Sequence, residues 1–176
     1  RWVAMPRAED ALAGALAEAG PLYTLYNWAL PAEHVVVAPW GLAVLHAFNT
    51  EGPLAIDGPA WHDRRALWRR LLAFGRRAVR TPRPLVDADV AALRAAVAEA
   101  DATLAAVPIA AVIVFTRPAM VLETGPRPPE PPAVTAADLR AWLRDEGRRH
   151  PALAPADGRR LQAVVAELAA GRVGGG

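Results

Sequence analysis

The sequence predicts an α/β fold, a mixed central sheet flanked by helices, and three features carry that reading. Helix-period segments stand at both ends of the chain. Between them, short β-branched runs are separated by tight-turn residues, as in an antiparallel meander. Late in the chain, Ile109 to Phe115 is apolar throughout, the pattern of a strand buried on both faces.

Residues 8 to 19 read as a first helix, with Leu12 and Leu16 on one face and Gly20-Pro21 to end it. Leu22 to Leu30 suits an extended segment. His34 to Ala38 and Leu42 to Phe48 form a hairpin about Pro39-Trp40-Gly41, and Asp57-Gly58 turns Leu54-Ala55-Ile56 back toward Trp61. A helix is expected next, with Leu67, Trp68, Leu71, Leu72, Phe74, Ala78 and Val79 on one side. Arg65, Arg69, Arg70, Arg76, Arg77 and Arg80 lie on the other. Thr81-Pro82-Arg83-Pro84 breaks it. A further helix runs from Asp87, its expected N-cap, to Ala105. After Ile109 to Phe115, Met120-Val121-Leu122 adds an edge, and five prolines within residues 125 to 132 make a connection. Thr135, with Asp138 as in a capping box, opens a helix carrying Leu139, Trp142 and Leu143. A last helix bears Leu161, Val164, Val165 and Leu168, and Gly171 is expected to stop it. The division expected is a domain over 1–147, then a C-terminal helix and flexible glycine tail over 148–176.

Composition removes whole classes of chemistry. The chain of 176 residues has no cysteine and no serine, which closes thiolate metal sites, disulfides and serine or cysteine nucleophiles. Its 20 Lys+Arg positions are all arginine, and net charge is only +2. No apolar run reaches the roughly 20 residues of a membrane helix, so no integral membrane segment is expected. The lack of cysteine fits a reducing cytoplasm, the expected location. Four histidines without helical pairing make no zinc site. His62 and His150 carry no ligand spacing, Asp57 is accounted for by its turn, and Asp87 with Asp89 by a helix start.

Leu30-Pro31-Ala32-Glu33-His34-Val35-Val36-Val37-Ala38-Pro39-Trp40-Gly41-Leu42-Ala43-Val44-Leu45 resembles the hallmark of the nuclease-related (NERD) domain family. In that family an acidic residue opens one strand and a Pro-x-Gly turn leads into the next. Gly52, Trp61, Thr81-Pro82 and Ile113-Val114-Phe115 match later features, so the resemblance covers roughly residues 8 to 145. It implies a restriction-endonuclease-like core and an ancestral metal-dependent phosphodiesterase. Such a site uses one acid on a strand and an acid-x-lysine pair on the next. Hard carboxylates hold the metal, and lysine steadies charge or water.

Carried across by position, the resemblance puts Glu33 at the first acid, His46 at the second and Phe48 at the lysine. Phenylalanine can perform no task of lysine, so no catalytic residue is expected. Glu33 and His46 are the weak metal candidates, and Mg²⁺ or Mn²⁺ enters only if a rearranged nuclease site, with Asp57 as a third candidate, survives. Against that, Glu33 and His34 read as polar residues at a strand start, and His46 as a hydrogen-bonded core histidine, in preference to metal ligands. The leading expectation is an inactive module that binds DNA or RNA, or scaffolds, through Arg64 to Arg80. The arginine face also reads as a merely solvated or membrane-apposed surface. A protein-interaction subunit without nucleic-acid affinity is the alternative, and an active metal nuclease the second.

Overall fold

The computed structural model describes residues 7–17, 19–64 and 82–173. The helix expected across the arginine run, and with it Arg65, Arg69, Arg70, Arg76, Arg77 and Arg80, lies outside the described residues, as does the glycine tail. The element order is α1 (Ala8–Ala17), β1 (Thr24–Asn27), β2 (His34–Ala38), β3 (Gly41–Phe48), β4 (Gly52–Asp57) and β5 (Ala60–Asp63). Then come α2 (Arg83–Ala100), β6 (Ile109–Phe115), β7 (Met120–Thr124), β8 (Ala133–Thr135), α3 (Leu139–Arg149) and α4 (Pro155–Val173).

Five strands form one sheet in the order β1-β2-β3-β6-β8, and three form another, β5-β4-β7. β1, β2 and β3 are antiparallel neighbours, whereas β6 runs parallel to β3 and β8 parallel to β6. The parallel β3–β6 pair leads into the parallel β4–β7 pair. At the passage, the Thr116 backbone N–H donates to the Phe48 carbonyl at 3.0 Å and the Gly52 N–H to the Ala119 carbonyl at 3.1 Å. The α/β class with a mixed sheet is therefore as the sequence indicates.

Alternation along β2 and β3 sorts their side chains onto two buried faces. Val35, Val37, Leu42 and Val44 pack against Leu93 and Val97 of α2 and Leu161, Val165 and Ala169 of α4. Val36, Ala38, Ala43 and Leu45 pack against Leu12 and Leu16 of α1 and Leu139, Trp142 and Leu143 of α3. Helices thus cover both faces of the five-stranded sheet. A third cluster, with Leu54, Ile56, Ile113, Phe115 and Met120, joins the two sheets. α4, which the sequence sets apart from residues 1–147, is built into the same core as β2 and β3.

Several boundaries differ from expectation. Asp87 is not the N-cap of α2: Pro82 occupies that position and the helix starts at Arg83, with a proline in its first turn. Proline belongs there because those backbone N–H groups have no helical partner to lose. Asp87 instead lies 3.6 Å from Arg83, one turn on. The helix ends at Ala100, and Asp101 caps a separate 3₁₀ turn by accepting the Thr103 N–H. Thr135 closes β8 and is also the N-cap of a 3₁₀ turn, Ala136–Asp138, that runs directly into α3, and its hydroxyl donates to Asp138 at 2.6 Å. Gly171 does not stop α4, which continues to Val173.

Candidate functional site

Three of the residues singled out by sequence, Glu33, His46 and Phe48, come from the adjoining ends of β2 and β3. The hairpin pairs Val35 with Val44, and continuing that register by two residues sets Glu33 opposite His46. Side chains directly opposite in an antiparallel pair share a face, so both belong to the face of Val35 and Val44. Glu33 is exposed, while His46 and Phe48 are half-buried. Among the described residues, no three His, Asp or Glu side chains converge as a metal site would require.

Phe48 sits in a cluster of rings. Its centroid lies 5.4 Å from His46, 6.0 Å from Trp61 and 5.8 Å from Phe115, each pair tilted. Trp61 and Phe115 close the group at 5.9 Å. Such tilted contacts bring ring edges to ring faces, a favourable aromatic geometry. Leu54, Ile56 and Met120 lie in the same apolar cluster. An ammonium placed here would lose its water and gain no anionic partner from those side chains.

The buried, hydrogen-bonded histidine is His34 rather than His46. His34 is 2% exposed and its Nδ1 lies 2.8 Å from Asn27 Oδ1, the amide oxygen accepting. Burial holds its pKa below the ordinary 6.5, against the opposing carboxylates of Glu33 and Glu9. A neutral imidazole therefore stands behind Glu33. His46 instead spends its ring on Phe48.

Asp57 does more than make a turn. Its carboxylate accepts from Arg127 Nε at 3.1 Å and Nη2 at 2.8 Å, and from the Arg127 backbone N–H at 3.1 Å. This two-pronged geometry clamps the β4–β5 turn to the proline-rich connection. The side-chain bonds from Arg127 are the main reason the Asp57 carboxyl titrates below its ordinary range. Asp57 is thereby committed away from Glu33 and His46. Glu51 is exposed beyond the end of β3. At the described margins of the arginine run, Arg64 pairs with Glu123 at 2.9 Å and Arg83 with Glu130 at 3.1 Å.

Sequence reasoning passed over Trp28, Asn27, Glu9 and Arg127. Trp28 lies in the bend between β1 and β2, and its indole N–H donates to Glu9 Oε1 at 2.8 Å. The signal that could have found it was a lone tryptophan beside a proline-containing bend rather than within an apolar run. No protein-family model, curated protein or solved structure matches the chain.

Proposed function

We propose that the protein is a nuclease-related domain with a restriction-endonuclease-like core that has lost cleavage and serves as a nucleic-acid-binding or scaffolding module. The observation that carries this reading is the ring cluster around Phe48. It fills the position where the resemblance calls for lysine, in a chain with none. The strand order supports it too, since a helix and an antiparallel β1-β2-β3 meander precede a fourth strand parallel to β3. Glu33 and His46, as one acid and one imidazole, leave a metal short of the hard oxygen ligands phosphodiester chemistry uses. Binding is assigned to Arg64–Arg80, whose guanidinium groups would contact phosphates without reading sequence. A reducing cytoplasm goes with this reading.

A gel-shift titration of labelled duplex DNA and RNA with Mn²⁺, at low and moderate salt, tests it. The expected result is a salt-sensitive shift with the nucleic acid intact. Replacing Arg69, Arg70, Arg76 and Arg77 by Gln should weaken binding, and reduce the salt slope by about one for each phosphate no longer neutralised. Shortened product that disappears in Glu33→Gln would overturn the loss of catalysis. Failure to shift either nucleic acid would overturn the binding role.

A further inference from the structure

Trp28 has a backbone φ of 59°, in the left-handed region, and no other non-glycine residue among those described has positive φ. A bulky aromatic in that region is strained, and glycine or asparagine would relieve it. The side chain does not repay that cost by burial, because it is 60% exposed. Nor is it loose. Its indole N–H is bonded to Glu9 Oε1 at 2.8 Å, its backbone N–H donates to the Glu33 carbonyl at 2.7 Å, and its ring meets His34 at 5.3 Å and 68°. A strained, exposed and firmly held tryptophan is a ring kept ready for contact.

The surrounding charge says with what. Glu9 is ionised at neutral pH, its carboxyl drawn below the ordinary range by a backbone hydrogen bond and by the Trp28 indole. Glu33 and Asp10 are exposed. His34 is buried and bonded to Asn27, and the effect of burial keeps it neutral. His46 and Arg7 also act on this group, Arg7 on Glu9 and His46 on His34. Among the described residues the permanently charged bases here are Arg7 and Arg172, the latter held on the Leu30 carbonyl at 2.8 Å, so the three carboxylates of Glu9, Asp10 and Glu33 outnumber them. A carboxylate on the indole N–H also pushes electron density into the ring, and an electron-rich ring face attracts cations. Phosphate would be repelled by the same acids.

We infer that Trp28, with Glu9 and Glu33 beside it, is the docking point for a cationic side chain, arginine or lysine, of a protein partner. Base and phosphate recognition falls to other parts of the surface. Here the strained backbone presents the ring, Glu9 fixes its plane, and the neighbouring carboxylates balance the incoming charge.

The test is a ¹⁵N-correlation titration of the full chain with a capped tri-arginine peptide, alongside a capped tri-glutamine control. The Trp28 indole signal is the one missing from the spectra of both Trp28→Phe and Trp28→Leu. Saturable movement of that signal with tri-arginine, with the other indole signals unmoved, is expected. Glu9→Gln should weaken binding about two- to fivefold, the contribution of one exposed ion pair, and Trp28→Leu, followed on the backbone amide signals, should weaken it about two- to fivefold, the exposed cation–aromatic contribution. An unmoved Trp28 signal, equal response to tri-glutamine, or unchanged affinity in Glu9→Gln would overturn the inference.

Discussion

At the scale of single residues, two positions are constrained for opposite reasons. Gly41 opens β3 with φ of 147°, and a Cβ added there would lie 2.3 Å from the Pro108 carbonyl oxygen. That oxygen also accepts the Leu42 N–H at 2.9 Å, fastening β3 to the entry of β6. Gly41→Ala must therefore displace backbone rather than a side-chain tip, and should cost roughly 2 kcal/mol or more, read as a lowered urea midpoint at unchanged m-value. His34 is constrained by its charge state. Its folded pKa lies below 6.5 because burial disfavours the cation, with Glu33 and Glu9 partly offsetting this. The unfolded chain takes up the proton first as pH falls, so stability is full above the ordinary value and declines as pH drops through and below it. The urea midpoint should fall between about pH 7.5 and 5.5, and His34→Gln should flatten that fall. Glu9, Asp57 and Asp101 do not confuse this window. Their carboxyls are held below ordinary values of 4.5, 3.8 and 3.8, so the stability they contribute is lost only in stronger acid.

Among elements, α4 carries two glycines whose added Cβ would meet nothing within 4 Å, Gly158 and Gly171. Neither has positive φ, so each gives up helix propensity without a conformational need. Gly158→Ala and Gly171→Ala should each raise stability by about 0.5–1 kcal/mol, additively given their separation along the helix, in thermal or urea unfolding. The opposite signs expected at Gly41 and at these two glycines show how far residue type alone can mislead. The same limit explains what was legible in the sequence. The β2–β3 hairpin, the β4–β5 turn and β6 were readable because pattern and turn chemistry are local. Glu33 and His46 were brought together in the sequence only through the resemblance, and it is the observed register, continued two residues, that sets them opposite. β8 was not readable: three residues become a strand only because β6 offers them a parallel edge. The start of α2 was misread because proline looks like a breaker, yet it suits a first helical turn. Trp28 was invisible for a similar reason, its left-handed backbone being imposed by the Glu33 and Glu9 contacts rather than by its own preference.

For the molecule as a whole, the question is whether residues 1–147 fold without α4. The packing argues that they do not. Leu161 and Val165 of α4 are fully buried, and Ala169 is nearly so, against Val35, Val37, Leu42, Val44, Leu93 and Val97. At the far end of the helix, Arg172 Nη1 donates to the Leu30 carbonyl at 2.8 Å, tying α4 to the bend that carries Trp28. Leu161→Ala alone should cost about 2–5 kcal/mol, a large part of the roughly 5–15 kcal/mol that holds a domain folded. Truncation after His150 removes all of this packing at once and bares one face of the central sheet. The truncated chain should lose its cooperative thermal transition and bind a hydrophobic dye, whereas Leu161→Ala should keep a single transition at lower temperature. A sharp melt from the truncated chain would mean that α2 alone covers that face and that α4 is an appendage. Because Glu33 precedes β2, and β2 and β3 supply that face, loss of α4 would also loosen the register that sets Glu33 opposite His46. Core and candidate site should then fail together, so the proposed nucleic-acid and peptide binding are to be measured on the chain that includes α4.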